Sequence, residues 1–184
     1  MLENSSQDRV TGRINASHSF FQDKLKVTAN LSVAQVEDEA PQISGGSGAS
    51  GNLIGAAYSA PPTWPNSPSF TIDGNRLNPA NILENYLGLT ETDRYLLNGS
   101  VEYHFSDEFS AKVNLGYDQS DAVATSAVSA NYNNSGRITD NGQASRNTLE
   151  ATSKLLEGTL NYKKQISDNV SIDALVGYSF QDFR

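Results

Sequence analysis

Two histidines, His18 and His104, are the only imidazole groups in this 184-residue chain, and it contains no cysteine. Neither histidine has a partner at ligand spacing. The helical His-Glu-x-x-His pattern is missing, and without thiolates a structural zinc site lacks its usual donors. Both fall in β-patterned segments just before a turn and read as ordinary strand residues. The acidic triplet Glu37-Asp38-Glu39 and the Asp140-Asn141-Gly142 segment offer oxygen ligands of the kind calcium takes. Neither follows the twelve-residue EF-hand spacing, so both read as exposed loop residues. The run Ser44-Gly45-Gly46-Ser47-Gly48-Ala49-Ser50-Gly51 resembles a phosphate loop only in composition. It lacks the Gly-Lys-Ser/Thr ending and the strand-to-helix setting, and reads as a flexible surface loop. No Ser-His-Asp or paired-carboxylate spacing selects catalysis. The expectation is no enzyme activity, no cofactor and no bound metal.

What remains is aromatic. Tyr58, Trp64, Phe70, Tyr86 and Tyr132 lie in or beside segments rich in Gly, Ser, Pro and Asn. Flat rings beside Asn and Asp side chains can stack on the apolar faces of sugars while the amides bond their hydroxyls. Trp64, Tyr58, Tyr86 and Tyr132 are therefore the candidates for ligand contact. The same rings would equally serve to pack the loops on each other or on a partner protein.

The elements that carry these segments announce themselves by period. Three times an Asp in a polar turn is followed by strict apolar/polar alternation, beginning at Asp23, Asp107 and Asp168. The apolar sets are Leu25, Val27, Ala29, Leu31, Val33; Phe109, Ala111, Val113, Leu115, Tyr117; and Val170, Ile172, Ala174, Val176, Tyr178. Polar residues such as Lys26, Asn30, Lys112, Asn114 and Asp173 lie between them. Period two puts one set on each face of a β-strand. Arms of matching pattern precede two of the turns: Leu97, Gly99, Val101, Tyr103, Phe105, and Leu156, Gly158, Leu160, Tyr162. Before Asp23 the set Ile14, Ala16, His18, Phe20 runs one residue out of phase, which a turn longer by one residue would correct.

The reading is all-β: an antiparallel up-and-down β-meander of about six strands. The hairpins are expected at about 9–36, 94–121 and 153–182, joined by long loops at about 37–93 and 122–152. A short helix is expected over Pro79–Leu87, capped by Asn78 and ended by Gly88. Runs of about ten alternating residues have the length a tilted strand needs to cross a bilayer. Short turns at one end and long loops at the other is the asymmetry of an outer-membrane barrel. Phe105 and Phe109 beside a turn, with Tyr117 and Tyr178 at the far ends, would form two interfacial aromatic belts.

Composition is compatible with that. Hydrophobic residues are 37% and the formal net charge is -8, with a mean hydropathy of -0.48. No apolar run is long enough for a transmembrane helix, whereas the polar lumenal face of a barrel dilutes its hydropathy. The acidic balance, without a basic patch, speaks against nucleic acid. Met1–Asp8 has neither the basic nor the apolar region of a signal peptide, so the chain is expected to be a fragment.

Several phrases then resemble barrel segments of SusC/RagA-like TonB-dependent transporters. They are Gly12-Arg13-Ile14-Asn15-Ala16, Leu77-Asn78-Pro79-Ala80-Asn81-Ile82-Leu83-Glu84, Leu96-Leu97-Asn98-Gly99-Ser100-Val101-Glu102-Tyr103, Phe109-Ser110-Ala111-Lys112-Val113-Asn114-Leu115-Gly116-Tyr117-Asp118 and Val176-Gly177-Tyr178-Ser179-Phe180-Gln181. The resemblance implies a 22-stranded barrel with an N-terminal plug, importing oligosaccharides or peptides across the outer membrane of Bacteroidota. It also implies a SusD-like surface lipoprotein and the TonB system as partners. No plug segment, TonB box or closing strand is recognisable here. The chain is expected to be an internal slice of a transmembrane β-barrel with long extracellular loops, unable to transport alone. The alternative is a soluble antiparallel β-sheet binding or adhesion domain, in which the apolar stripes would pack against a second layer.

Overall fold

A computed structural model describes residues 3–43, 52–70, 77–132 and 141–184. Six strands form one sheet: β1 Ser6–Phe20, β2 Leu25–Glu39, β3 Tyr86–His104, β4 Phe109–Val128, β5 Gln143–Ser167 and β6 Val170–Phe183. Their order is β1-β2-β3-β4-β5-β6, an antiparallel meander left open with β1 and β6 at its edges. Two short helices interrupt the first long connection, α1 Leu53–Ser59 and α2 Pro79–Asn85. By contact density the chain divides into two units. A hairpin unit comprises Val10–Gln35, Asp93–Asp121 and Leu149–Arg184; a loop unit comprises Met1–Arg9, Val36–Thr92 and Ala122–Thr148.

In the hairpin unit the period-two stripes fix the register. Across β5 and β6, Leu156 faces Phe180, Gly158 faces Tyr178, Leu160 faces Val176 and Tyr162 faces Ala174. Directly opposed residues share a face, so both apolar stripes lie on one side of the pair. The first hairpin resolves the phase problem of β1. Its turn is four residues long, and Phe21, Gln22 and Asp23 all have positive φ, at 53°, 57° and 67°. The longer turn brings the Ser17 hydroxyl to 3.4 Å from that of Thr28, which sets Ile14, Ala16, His18 and Phe20 level with the apolar set of β2. A left-handed conformation at a bulky residue such as Phe21 is uncommon and carries strain.

Three strands run further than the alternation predicts: β3 starts at Tyr86, β4 continues to Val128 and β5 starts at Gln143. Residues 118–128 have small or polar side chains on both faces, so no apolar stripe marks them. Backbone pairing to flanking strands keeps such a segment extended. As a result Glu37, Asp38 and Glu39 end β2 rather than lying in a loop, and Asp38 Oδ1 accepts from Gln7 Nε2 at 2.6 Å.

In the loop unit, Asn78 caps α2 by accepting from the Ala80 N–H at 3.0 Å, with Pro79 in the first turn. The helix stops at Asn85 because Tyr86 turns extended, and not at Gly88 as the sequence suggested. Gly88 serves a different purpose: an added Cβ would come 2.6 Å from the Ala40 carbonyl oxygen. Helix α1 was not foreseen. Asn52 caps it, and a single apolar pair, Leu53 and Ala56, is buried. The Ser44–Gly51 run, Asp140, and Asn133 to Gly136 lie outside the described residues.

Candidate functional site

The loop unit is organised by two buried asparagines. Asn78 is 5% and Asn81 4% exposed, so every polar atom on them needs a partner. Asn78 Nδ2 donates to the Ser67 carbonyl at 2.8 Å and to that of Phe70 at 3.0 Å. Asn81 Nδ2 donates to the Pro68 carbonyl at 2.9 Å and the Asn131 carbonyl at 3.0 Å. One turn of helix thereby pins the 65–70 segment and the start of the second long connection. Around this hub Leu53, Ala56, Leu77, Ile82 and Tyr132 form a small core, with Leu83, Tyr86 and Val128 packed against it.

The four candidate aromatics fare differently. Trp64 is half-buried, its ring centroid 6.1 Å from that of Phe70 at a tilted angle. Turns at Trp64, Ser67 and Phe70 and the two asparagines hold that pair in place. Tyr58 projects from α1 at 94% exposure. Tyr132 is 7% exposed inside the core, with its hydroxyl donating to Gln42. Tyr86 is half-buried between two hollows of about 160 and 200 Å³. Ser126, Ser145, Gln143 and Thr90 offer polar atoms around it, and the Ser126 and Ser145 hydroxyls are 2.8 Å apart. Trp64 with Phe70 and Tyr86 with Tyr132 are thus gathered near the hub, while Tyr58 stands alone. Sequence reasoning missed Asn81. Its type in the Asn-Pro-Ala-Asn phrase was the available signal.

For the metal candidates, no group of three or more His, Asp or Glu side chains is gathered among the described residues. His18 makes an edge-on contact with Phe20 at 4.3 Å. On β3, His104 Nε2 lies 3.3 Å from Glu102 Oε1.

The hairpin unit keeps its apolar stripes on the surface. Leu115 is 57%, Val176 72% and Tyr178 69% exposed, and Leu97, Val113, Leu160 and Ile172 are exposed as well. The polar set carries its own contacts. Arg94 grips Asp118 through Nε–Oδ1 at 3.0 Å and Nη2–Oδ2 at 2.6 Å, and Glu157 lies 3.4 Å from both Asn114 and Ser179. Near the short turns the rings pair, Tyr103 with Phe105 at 4.9 Å and Phe109 with Tyr162 at 4.5 Å. No helix among the described residues is long and apolar enough to cross a membrane. Each strand, by contrast, exceeds the nine to eleven residues a tilted transmembrane strand needs.

Solved importers share this arrangement. The RagAB peptide importer in its closed-closed state superposes with a TM-score of 0.79 at 19% identity, over 98% of this chain and 21% of that one. Its open-open state gives 0.75 at 18% identity, over 98% and 20%. A further structure of the RagAB peptide transporter gives 0.81 at 19% identity, over 98% and 21%. The chain has the fold of one stretch of these importer chains. It spans about a fifth of their length. No protein-family model matches the chain, and no curated protein matches it.

Proposed function

We propose that residues 1–184 form part of the barrel wall of a TonB-dependent outer-membrane transporter of the SusC/RagA kind, which imports oligosaccharides or peptides. The hairpins at 9–36, 94–121 and 153–182 cross the hydrocarbon, and the connections at 37–93 and 122–152 are extracellular. A SusD-like surface lipoprotein and the TonB system are the partners of the whole transporter. The stretch described here is a structural part of it, with no catalytic role and no transport of its own. One observation carries the reading: the likeness to importer chains runs over 98% of the chain, and the apolar face of the hairpin unit is exposed.

Under this reading Leu25, Val27, Leu31, Phe109, Val113, Leu115, Val170, Ile172 and Val176 meet lipid, and Lys26, Asn30, Lys112, Asn114 and Asp173 meet plug or solute. Trp64, Tyr58, Tyr86 and Tyr132 are the proposed substrate-contacting loop aromatics. Trp64 and Tyr86 have the geometric support, being partly open and held by the loop hub. The exposed apolar face of the hairpin unit supports this reading over the soluble-domain alternative.

Single cysteines in the full transporter test the wall. At Val113, Leu115 and Leu160 they should react with a bilayer-soluble maleimide and resist a membrane-impermeant one. At Asn114 and Asn161 the preference should reverse. Equal labelling of both sets by the water-soluble reagent would refute it.

A further inference from the structure

One hollow on the hairpin unit has no role in the wall as such. It is a groove of about 510 Å³ on the apolar face, across β2 to β6. Leu97, Leu115, Leu156, Tyr117 and Phe180 border it, and Ala29 and Gly99 form part of its floor. It exists because side chains are missing there: a Cβ added at Gly99 would meet only the Thr28 carbonyl oxygen, at 3.9 Å. Strands β3, β4 and β5 are each flanked on both sides within this chain, so no further strand fills the groove. Its volume is in the range of specific small-molecule sites.

A cation stands at its rim. Lys154 lines the groove, is exposed and has no carboxylate within ion-pair distance among the described residues. The acid directly across from it, Asp182, accepts instead from Arg184 Nε at 3.1 Å. Along the alternation of β5, Lys154 precedes Leu156 and Leu160 at the end of the apolar stripe, and it shares the groove's lining with the rings of Tyr117 and Phe180. Rings at this level mark the hydrocarbon–headgroup boundary in membrane barrels.

We infer that the groove holds one membrane lipid with a net-negative phosphate head group, its acyl chain laid over Gly99 and its phosphate on Lys154. The inference rests on the wall reading, since only then does this face meet lipid. Charge complementarity chooses the occupant. The lining offers an acyl chain almost wholly apolar contact, and its only charge is positive. A zwitterionic lipid brings its own cation beside the phosphate, which offsets the attraction to Lys154, and a protein segment would need more polar partners than this lining offers.

The test is native mass spectrometry of the full transporter, delipidated and then titrated with phosphatidylglycerol or phosphatidylcholine. Wild type should retain one phosphatidylglycerol in preference to phosphatidylcholine. Lys154→Gln should reduce that preference about fivefold, the worth of one lysine near an anionic membrane surface. Gly99→Leu should abolish retention of the tightly held molecule by filling the floor, while Lys164→Gln, a change at another exposed cation, should alter nothing. A cysteine at Val113, outside the groove, is read in parallel with a bilayer-soluble probe. If it labels from the bilayer but Lys154→Gln retains both lipids as wild type does, the lipid site is wrong and the wall stands. If it does not label from the bilayer, both fall.

Discussion

The two units of this molecule use their hydrophobic residues in opposite ways. In the hairpin unit the large side chains are periodic and exposed: Leu115, Val176 and Tyr178 lie on the surface. In the loop unit the chain is poor in large apolar residues, yet Leu77 and Ile82 are each 1% exposed. A hydrophobic stripe that stays outside is stable only if something apolar surrounds it. A handful of buried residues within long connections is stable in water only if polar groups are fully paired around them. On the proposed reading one chain meets two solvents, and its two regions should respond in opposite ways to the same kind of change.

The largest effect is expected in the loop core. Ile82→Ala removes a fully buried side chain beside Leu53, Ala56 and Tyr132, and such truncations cost about 2–5 kcal/mol. Because the hub is small and local, the loss should appear as faster amide exchange over 77–85 and 52–59, with the exchange of β3 to β6 in the hairpin unit unchanged. If protection falls equally in both units, they are one cooperative body and the contrast drawn here is wrong.

That asymmetry also decides what could be read from residues alone. The hairpins were legible because period two is a local signal, repeated three times, and a shared face follows from it directly. The cap at Asn78 was legible for the same reason, being set by its two nearest neighbours. The ends of β3, β4 and β5 were not, since residues such as Ser120, Ala122, Ala124 and Ser126 take strand conformation from their neighbours' backbone and carry no apolar face. The hub was hidden by distance: Asn81 bonds to Asn131 across 50 positions, and nothing local marks that pairing. Among the candidate aromatics, residue type and loop composition could not separate Tyr132, which went into the core, from Trp64, which stayed partly open.

The next effect belongs to the hairpin unit and turns on which face is struck. With the apolar face in lipid, Val113→Arg near the centre of the β4 stripe should destabilise the full transporter by about 2–4 kcal/mol, the cost of an arginine at the bilayer midplane. Asn114→Arg, one residue along and on the polar face near Glu157, should change stability by less than about 1 kcal/mol. Denaturant midpoints of refolding into phosphatidylcholine vesicles read the difference. Were this face in water, the order would disappear: both arginines would be tolerated, and Val113→Arg would raise solubility.

The smallest effect sharpens the contrast inside the loop unit, between a ring that packs and a ring that is free to bind. Trp64 is half-buried against Phe70 on a segment held by Asn78 and Asn81, whereas Tyr132 is enclosed with its hydroxyl on Gln42. An aromatic contact with a flat partner is worth about 0.5–1.5 kcal/mol beyond area burial. Trp64→Phe, which keeps a ring but loses the indole N–H and part of the face, should therefore weaken substrate binding by the full transporter up to about tenfold, with amide exchange of the loop core unchanged. Tyr132→Phe removes only the hydroxyl to Gln42 and should loosen exchange over 77–85, leaving affinity changed only as far as the hub is disturbed. Calorimetric titration of the two variants beside wild type measures both. Loss of affinity in Tyr132→Phe with none in Trp64→Phe would reverse the assignment, making the enclosed ring part of the recognition surface and Trp64 a packing residue.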